Sequence, residues 1–232
     1  PTLVLLGYPP LTANVSNNIG LVAGGLSATW GYRSDLQAQR AQLRRLAPWS
    51  LLGGVVGATL LLVLPAAAFK AIVPVLIVVA LLLVVLGPRL QAWGARHHGA
   101  DSDARGTQAR IPWRAAALAG GVFAGGVYGG YFGAAQGVLM MGLFSALATE
   151  PIERLNGLKN LLVTGVNTVA AIAFLLFARD HVDWAVVALV AVGSLLGGLL
   201  GAAVGRRLPR PVLRGIIVVV GLVALVKLVW FS

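Results

Sequence analysis

The chain has 232 residues, of which 58% are hydrophobic and only 11% charged, with a mean hydropathy of +0.87. Soluble domains carry about 25% charged residues, so this chain has too little polar surface to face water on every side. Its net charge of +11 would suggest nucleic acid in a soluble protein, but thirteen of its eighteen Lys and Arg sit in three short stretches between apolar runs, Arg33–Arg45, Arg89–Arg114 and Arg206–Arg214.

Basic residues clustered beside membrane spans mark the cytoplasmic side, and that placement sets nucleic acid aside as a partner. The chain opens on PTLVLLGYPP, with no initiator Met, basic n-region or signal cleavage pattern, and reads as the tail of a helix. Apolar runs then predict spans at roughly 12–32, 49–66, 70–88, 112–131, 133–149, 157–178, 183–205 and 211–231. The expected fold is an all-α polytopic membrane protein of about eight spans, some of them broken or re-entrant. Loops 33–48, 89–114 and 206–214 are placed in the cytoplasm.

The first span opens with Asn14-Val15-Ser16-Asn17-Asn18, five residues after Pro9. Between the third and fourth spans, residues 91–111 form a basic, polar linker whose His97, His98, Asp101 and Asp103 are read as solvated rather than as a metal site. Without cysteine there are no disulfides and no thiolate chemistry.

The fourth and fifth spans hold AGGVFAGGVYGGYFGAAQGVLMMG, residues 119–142, with Gly121, Gly125, Gly129, Gly133 and Gly137 at a strict four-residue spacing. It carries neither a phosphate-loop motif nor G-x-G-x-x-G, and the residues between its glycines are too apolar for a disordered linker. Small residues at helical spacing let two helices approach closely, the reading for Gly121 and Gly125. The 38 residues of Pro112–Thr149 would make a helix of about 57 Å, twice a hydrocarbon core of about 30 Å, so the helix must break. Gly129, Gly130, Gly133 and Gly137 mark the expected break, with Gln136 the lone amide in the segment. Tyr128 and Tyr131 are read as packing aromatics, with lining a cavity beside Gln136 as the competing reading.

The sixth span carries a second polar stretch after Pro151. Asn156, Lys159, Asn160, Thr164 and Asn167 fall at three- and four-residue steps and form one helical stripe. Buried amides and hydroxyls are costly, so intramembrane polar residues are functional candidates. Two such helix starts, with outward N–H groups and one ammonium, suit a small anion. Lys159 snorkelling and Asn residues bonding between helices is the competing reading. Glu150, Glu153 and Arg154 lie at the helix junction, and His181 in a short turn.

The halves repeat. Ser50-Leu51-Leu52-Gly53-Gly54-x-x-Gly57-Ala58 recurs 144 residues on, from Ser194 to Ala202, with Leu64-Pro65 matching Leu208-Pro209. Upstream, Pro9, Asn14 and Asn18 match Pro151, Asn156 and Asn160. Residues 1–90 form the first repeat, 91–111 the linker and 112–232 the second repeat. The charge pattern gives the halves opposite orientations, an inverted repeat of the kind found in secondary transporters. Residue 1 falls opposite roughly residue 144, so the first repeat is expected to lack its glycine-rich segment in this chain.

The order GGVYGGYFGAAQGVLM, RLNGLKNLLVTGVN, HVDW and GSLLGGLLGAAVGRRLP resembles the sulfite exporter TauE/SafE family of membrane transporters. The resemblance covers most of 112–231 and, more weakly, 9–90. It implies an inner-membrane permease for sulfite or organosulfonate-type anions. The substrate-binding residues it implies are Asn14, Asn17, Asn18, Gln136, Asn156, Lys159, Asn160 and Asn167, to which the polar stripe adds Thr164. No catalytic residue, metal ligand or cofactor is expected, since no nucleophile elbow or paired carboxylates occur within a span. The partners are a small anion, the bilayer and a coupling ion, H+ or Na+, with self-association left open. The alternatives are a non-transporting assembly subunit or an exporter of another small metabolite.

Overall fold

Helical periodicity without turn chemistry is what most of this sequence offers, and helices are what form. The computed structural model describes residues 2–31, 36, 39–65, 68, 112–133, 135–147 and 152–204, single positions between 71 and 89, and positions 219, 222, 223 and 226. No strand occurs among them. The helices are α1 (Thr2–Leu5), α2 (Pro10–Gly31), α3 (Arg40–Val63), α4 (Pro112–Tyr131), α5 (Gln136–Leu147), α6 (Ile152–Phe177) and α7 (Trp184–Val204), with a 3-10 turn at Arg179–His181. Two of the described helices are long and apolar enough by themselves to cross a membrane, Arg40–Val63 and Leu155–Phe177. The described positions of the expected span at 70–88 are helical, while the expected span at 211–231 lies almost wholly, and the linker with its two His wholly, outside the described residues.

Helix boundaries follow local chemistry. Proline stands at the first position of α2 and α4, where a missing N–H costs nothing. Asp183 caps α7, its Oδ1 accepting from the amides of Ala185 and Val186 at 3.0 Å each. Replacing Asp183 with alanine is expected to cost about 1 kcal/mol, readable as a lowered thermal midpoint. One boundary differs from the sequence reading. The second span was placed at 49–66, yet α3 begins at Arg40 and runs through Pro48. RAQLRRLA is rich in strong helix formers, and their propensity outweighs the single backbone bond that Pro48 removes.

Two glycine stripes on α4 receive two different helices. Gly121, Gly125 and Gly129 face Leu143, Met140 and Gln136 of α5, which runs back antiparallel along α4. Gly126 and Gly130 face α3, where Gly53 and Gly57 reciprocate, so α3 and α4 meet backbone to backbone. On the far side of the bundle, Gly20 and Gly24 of α2 seat Val190 and Ser194 of α7. Ser194 Oγ accepts from the Gly24 amide and donates to the Gly20 carbonyl, each at 3.1 Å.

These contacts fix helix directions. Val15 of α2 clusters with Ala170 and Phe174 of α6, while Gly25 and Thr29, later in α2, lie on Thr164, earlier in α6. The two helices that open with Asn stretches therefore run antiparallel. α3 runs with α6, because Gly54 lies on Val166 and Ala58 and Leu61 join Ala170 and Phe174. α4 runs with α3, and α7 with α2. The ends flanking the three basic stretches, Gly31, Arg40, Pro112 and Val204, consequently face one side of the bundle.

Two apolar cores hold the ends. One joins Leu46, Val122, Met140, Phe144, Leu155 and Leu158; the other joins Val15, Ala58, Leu61, Tyr131, Ala170 and Phe174. Outward faces remain strongly apolar, with Trp30, Val63, Leu176, Phe177 and Leu189 each at least 70% exposed.

Candidate functional site

The expected break in the glycine segment falls between the end of α4 at Tyr131 and the start of α5 at Gln136. Gly133 has φ +75°, and Ala135 has φ +58°, a conformation that costs a non-glycine residue about 1–2 kcal/mol. The break is narrower than the four glycines marked in the sequence. Gly129 and Gly130 remain in the last turns of α4, and Gly137 lies in the first turn of α5. At 12 residues, α5 is about 18 Å long, too short to cross a hydrocarbon core alone. α4 and α5 form a helical hairpin, and the first amides of α5 point back toward its bend.

Three helices bring side chains to this bend. From α2, the Asn14 amide donates to the Tyr131 carbonyl at 2.7 Å, satisfying an end carbonyl of α4. One turn later Asn18, only 2% exposed, brings its amide to Gly133. Asn17 lies beside it on α2 and is partly buried. From α5, Gln136 is 1% exposed, lies against Gly129, and donates from Nε2 to the Gly125 carbonyl at 3.1 Å. From α6, the aliphatic stem of Lys159 lies at Gly137, where an added methyl group would meet Cδ at 3.8 Å. The Lys159 ammonium donates to Asn156 Oδ1 at 3.2 Å, one of the three bonds it can make. Asn14, Asn18, Gln136 and Lys159 therefore gather along one bend, although they come from sequence positions as far apart as 14 and 159.

The rest of the α6 stripe goes elsewhere. Thr164 is buried against Gly25 and Thr29 of α2, with the two threonine oxygens 3.3 Å apart, and it donates to the Asn160 carbonyl at 2.7 Å. Asn160 is partly buried and Asn167 is buried on the same helix. Asn156 and Lys159 lie beyond the first turn of α6, which begins at Ile152, so its free N–H groups lie before them. The helix start that meets the Lys159 stem belongs to α5 instead.

Two contributions were not legible in the sequence. Asn14 acts as a cap for another helix, a role no local spacing announces. Ser16 Oγ accepts from the Asp183 amide at 2.9 Å, tying α2 to the turn before α7. Replacing Asn14 with leucine removes this bond between α2 and the end of α4 and is expected to cost about 0.5–1.5 kcal/mol, measurable as a drop in thermal midpoint.

An apolar groove of about 300 Å³ lies on the other face of α4, lined by Leu60, Leu64, Ile72, Leu76, Val127 and Tyr128 among others. Tyr128 packs edge-on to Phe132, with ring centroids 6.0 Å apart, as its reading as a packing aromatic requires. This groove is hydrocarbon-walled and is no seat for an anion. The polar bend is the candidate site. Among the described residues, no cluster of His, Cys, Asp or Glu forms a metal centre.

The family model described as sulfite exporter TauE/SafE matches residues 1–228. A probable membrane transporter protein, ORF9, of a Sinorhizobium species is 26% identical over 98% of this chain and 82% of its own length. The probable membrane transporter protein YfcA of Escherichia coli K12 is 26% identical over 100% of this chain and 81% of its own length. A probable membrane transporter protein of Haemophilus influenzae is 24% identical over 99% of this chain and 84% of its own length. No solved structure matches the chain significantly.

Proposed function

The chain belongs to the sulfite exporter TauE/SafE family of membrane transporters, and from that premise we propose that it is a secondary permease for small anions of the sulfite or organosulfonate type. The observation that supports this reading is that Asn18, Gln136 and Lys159, from three helices, lie near Gly133, Gly129 and Gly137 along the α4–α5 bend. Irregular backbone at membrane depth is tolerated where it is buried in protein or lines a cavity, and a helix N-terminus beside an ammonium favours negative charge.

The inverted repeat, residues 1–90 against 112–232, is part of the same proposal. Its supports are the antiparallel course of α2 and α6, and the opposite directions of α3 and α7, which share the SLLGGxxGA motif. Eight spans in a bacterial inner membrane, with the basic stretches in the cytoplasm, agree with helix ends that face one side. Trp113 beside Arg114 at the start of α4, the guanidinium 5.7 Å from the ring centroid, has the composition of a membrane-interface anchor. Coupling is to H+ or Na+, since the sequence carries no ATP-binding motif.

A thermal-unfolding screen of the purified protein against sulfite, sulfate, thiosulfate, alkanesulfonates and short carboxylates tests the substrate class. A ligand at a hundredfold excess over its Kd should add about 2.7 kcal/mol of stability. Stabilisation by sulfite or a sulfonate is expected. Stabilisation only by carboxylates would move the substrate out of the sulfur-containing class.

A further inference from the structure

Lys159 and the start of α5 account for an anionic group at the bend, but they leave two acceptors unexplained. Gln136 Oε1 and Asn18 Oδ1 are both buried and receive no hydrogen bond among the described residues. The Gln136 orientation is not arbitrary. Its Nε2 faces the Gly125 carbonyl, and exchanging the two amide atoms would set oxygen against oxygen. Its carbonyl oxygen must therefore be the atom left over. Asn18 brings Nδ2 toward Gly133, and Gln136 sets both heteroatoms of its amide against Gly129, one turn earlier at the same bend. A wholly deprotonated anion has only acceptors and would leave both oxygens unpaired, at a cost paid in affinity. A metal cation would satisfy them but would sit near the Lys159 ammonium, whose stem touches the residue next to Gln136.

We infer that the transported anion also carries a hydrogen-bond donor, a hydroxyl or ammonium group, taken up by Gln136 Oε1 and Asn18 Oδ1 while its anionic group lies toward Lys159. This rests on the anion reading above and narrows it to a bifunctional substrate, such as a hydroxyalkyl- or aminoalkylsulfonate. Sites that hydrogen-bond a substrate hydroxyl reject an analogue that lacks it, because their own buried groups then stay unpaired.

The test compares 2-hydroxyethanesulfonate with 1-propanesulfonate, in which a methyl group replaces the hydroxyl, by thermal unfolding of the purified full chain over a concentration series. The hydroxyl compound is expected to bind at least about tenfold more tightly. In Gln136→Leu, and separately in Asn18→Leu, the preference should shrink toward parity. Should either variant fail to fold, the unmodified protein still decides the question. Equal or tighter binding of 1-propanesulfonate would overturn the inference and leave the anion site standing. Failure of both compounds, and of 2-aminoethanesulfonate, to stabilise the protein would overturn the inference together with the sulfonate reading on which it rests.

Discussion

Replacing Lys159 with alanine is expected to lower anion flux in proteoliposomes by about 10- to 100-fold while leaving the protein folded. Hydrogen bonds to charged groups contribute about 1.5–3 kcal/mol, and each 1.4 kcal/mol is a factor of ten. Lys159 makes one described hydrogen bond, to Asn156 in the preceding turn of its own helix, so its loss removes little from the fold. Its stem lies on Gly137 at the start of α5, which places its charge beside the bend rather than at an isolated helix surface. A structural lysine would show the opposite pattern, with unchanged flux per folded molecule and a lowered thermal midpoint. Flux of the alanine variant equal to that of the unmodified protein would remove Lys159 from the site.

The second large effect concerns the α3–α4 contact. Gly126→Ala is expected to destabilise by about 3 kcal/mol, at the upper end of ordinary overpacking, because the new methyl group would lie 2.5 Å from Ser50 O and 3.1 Å from Gly53 Cα and Gly54 N. All three are backbone atoms of α3, and no rotamer change can move them away. Gly120→Ala, six residues earlier on the same helix, meets no atom within 4 Å. It should be neutral or stabilise by about 0.5–1 kcal/mol, since alanine loses less backbone freedom in a helix than glycine does. Thermal unfolding of the two variants in the same detergent reads this difference in sign. Equal midpoints would mean that α3 and α4 do not meet through Gly126.

Much of this was readable from residue pattern. A 38-residue apolar stretch cannot stay one straight helix across a bilayer, and the bend appears in the glycine segment where the expectation put it. The four-residue glycine spacing announced close packing, and α5 lies on Gly121 and Gly125 as that spacing implies. Which helix each stripe receives was not readable, because glycine names a close approach and not a partner. Nor was the fine position of the bend, since seven glycines between 121 and 137 offer many equally cheap places to break. The bend is settled by tertiary contacts: Asn14 on the Tyr131 carbonyl, and Gln136 returning to Gly125. The polar stripe of α6 meets more than one neighbour. Its residues share one helix face over more than two turns, so its ends meet different neighbours, Lys159 the α5 start and Thr164 the glycine face of α2. The early start of α3 shows propensity overriding a proline, which a search for apolar runs is bound to miss.

The central claim is that this bend carries a small anion across the membrane, and flux tests it most directly. Radiolabelled sulfite and an alkanesulfonate should be loaded into proteoliposomes containing the purified protein, and efflux followed against protein-free vesicles under imposed H+ and Na+ gradients. The account predicts saturable efflux that requires the protein, responds to one of the gradients and falls steeply in the Lys159→Ala variant. Efflux no faster than from empty vesicles for every anion tried, with the protein folded in the membrane, would contradict it.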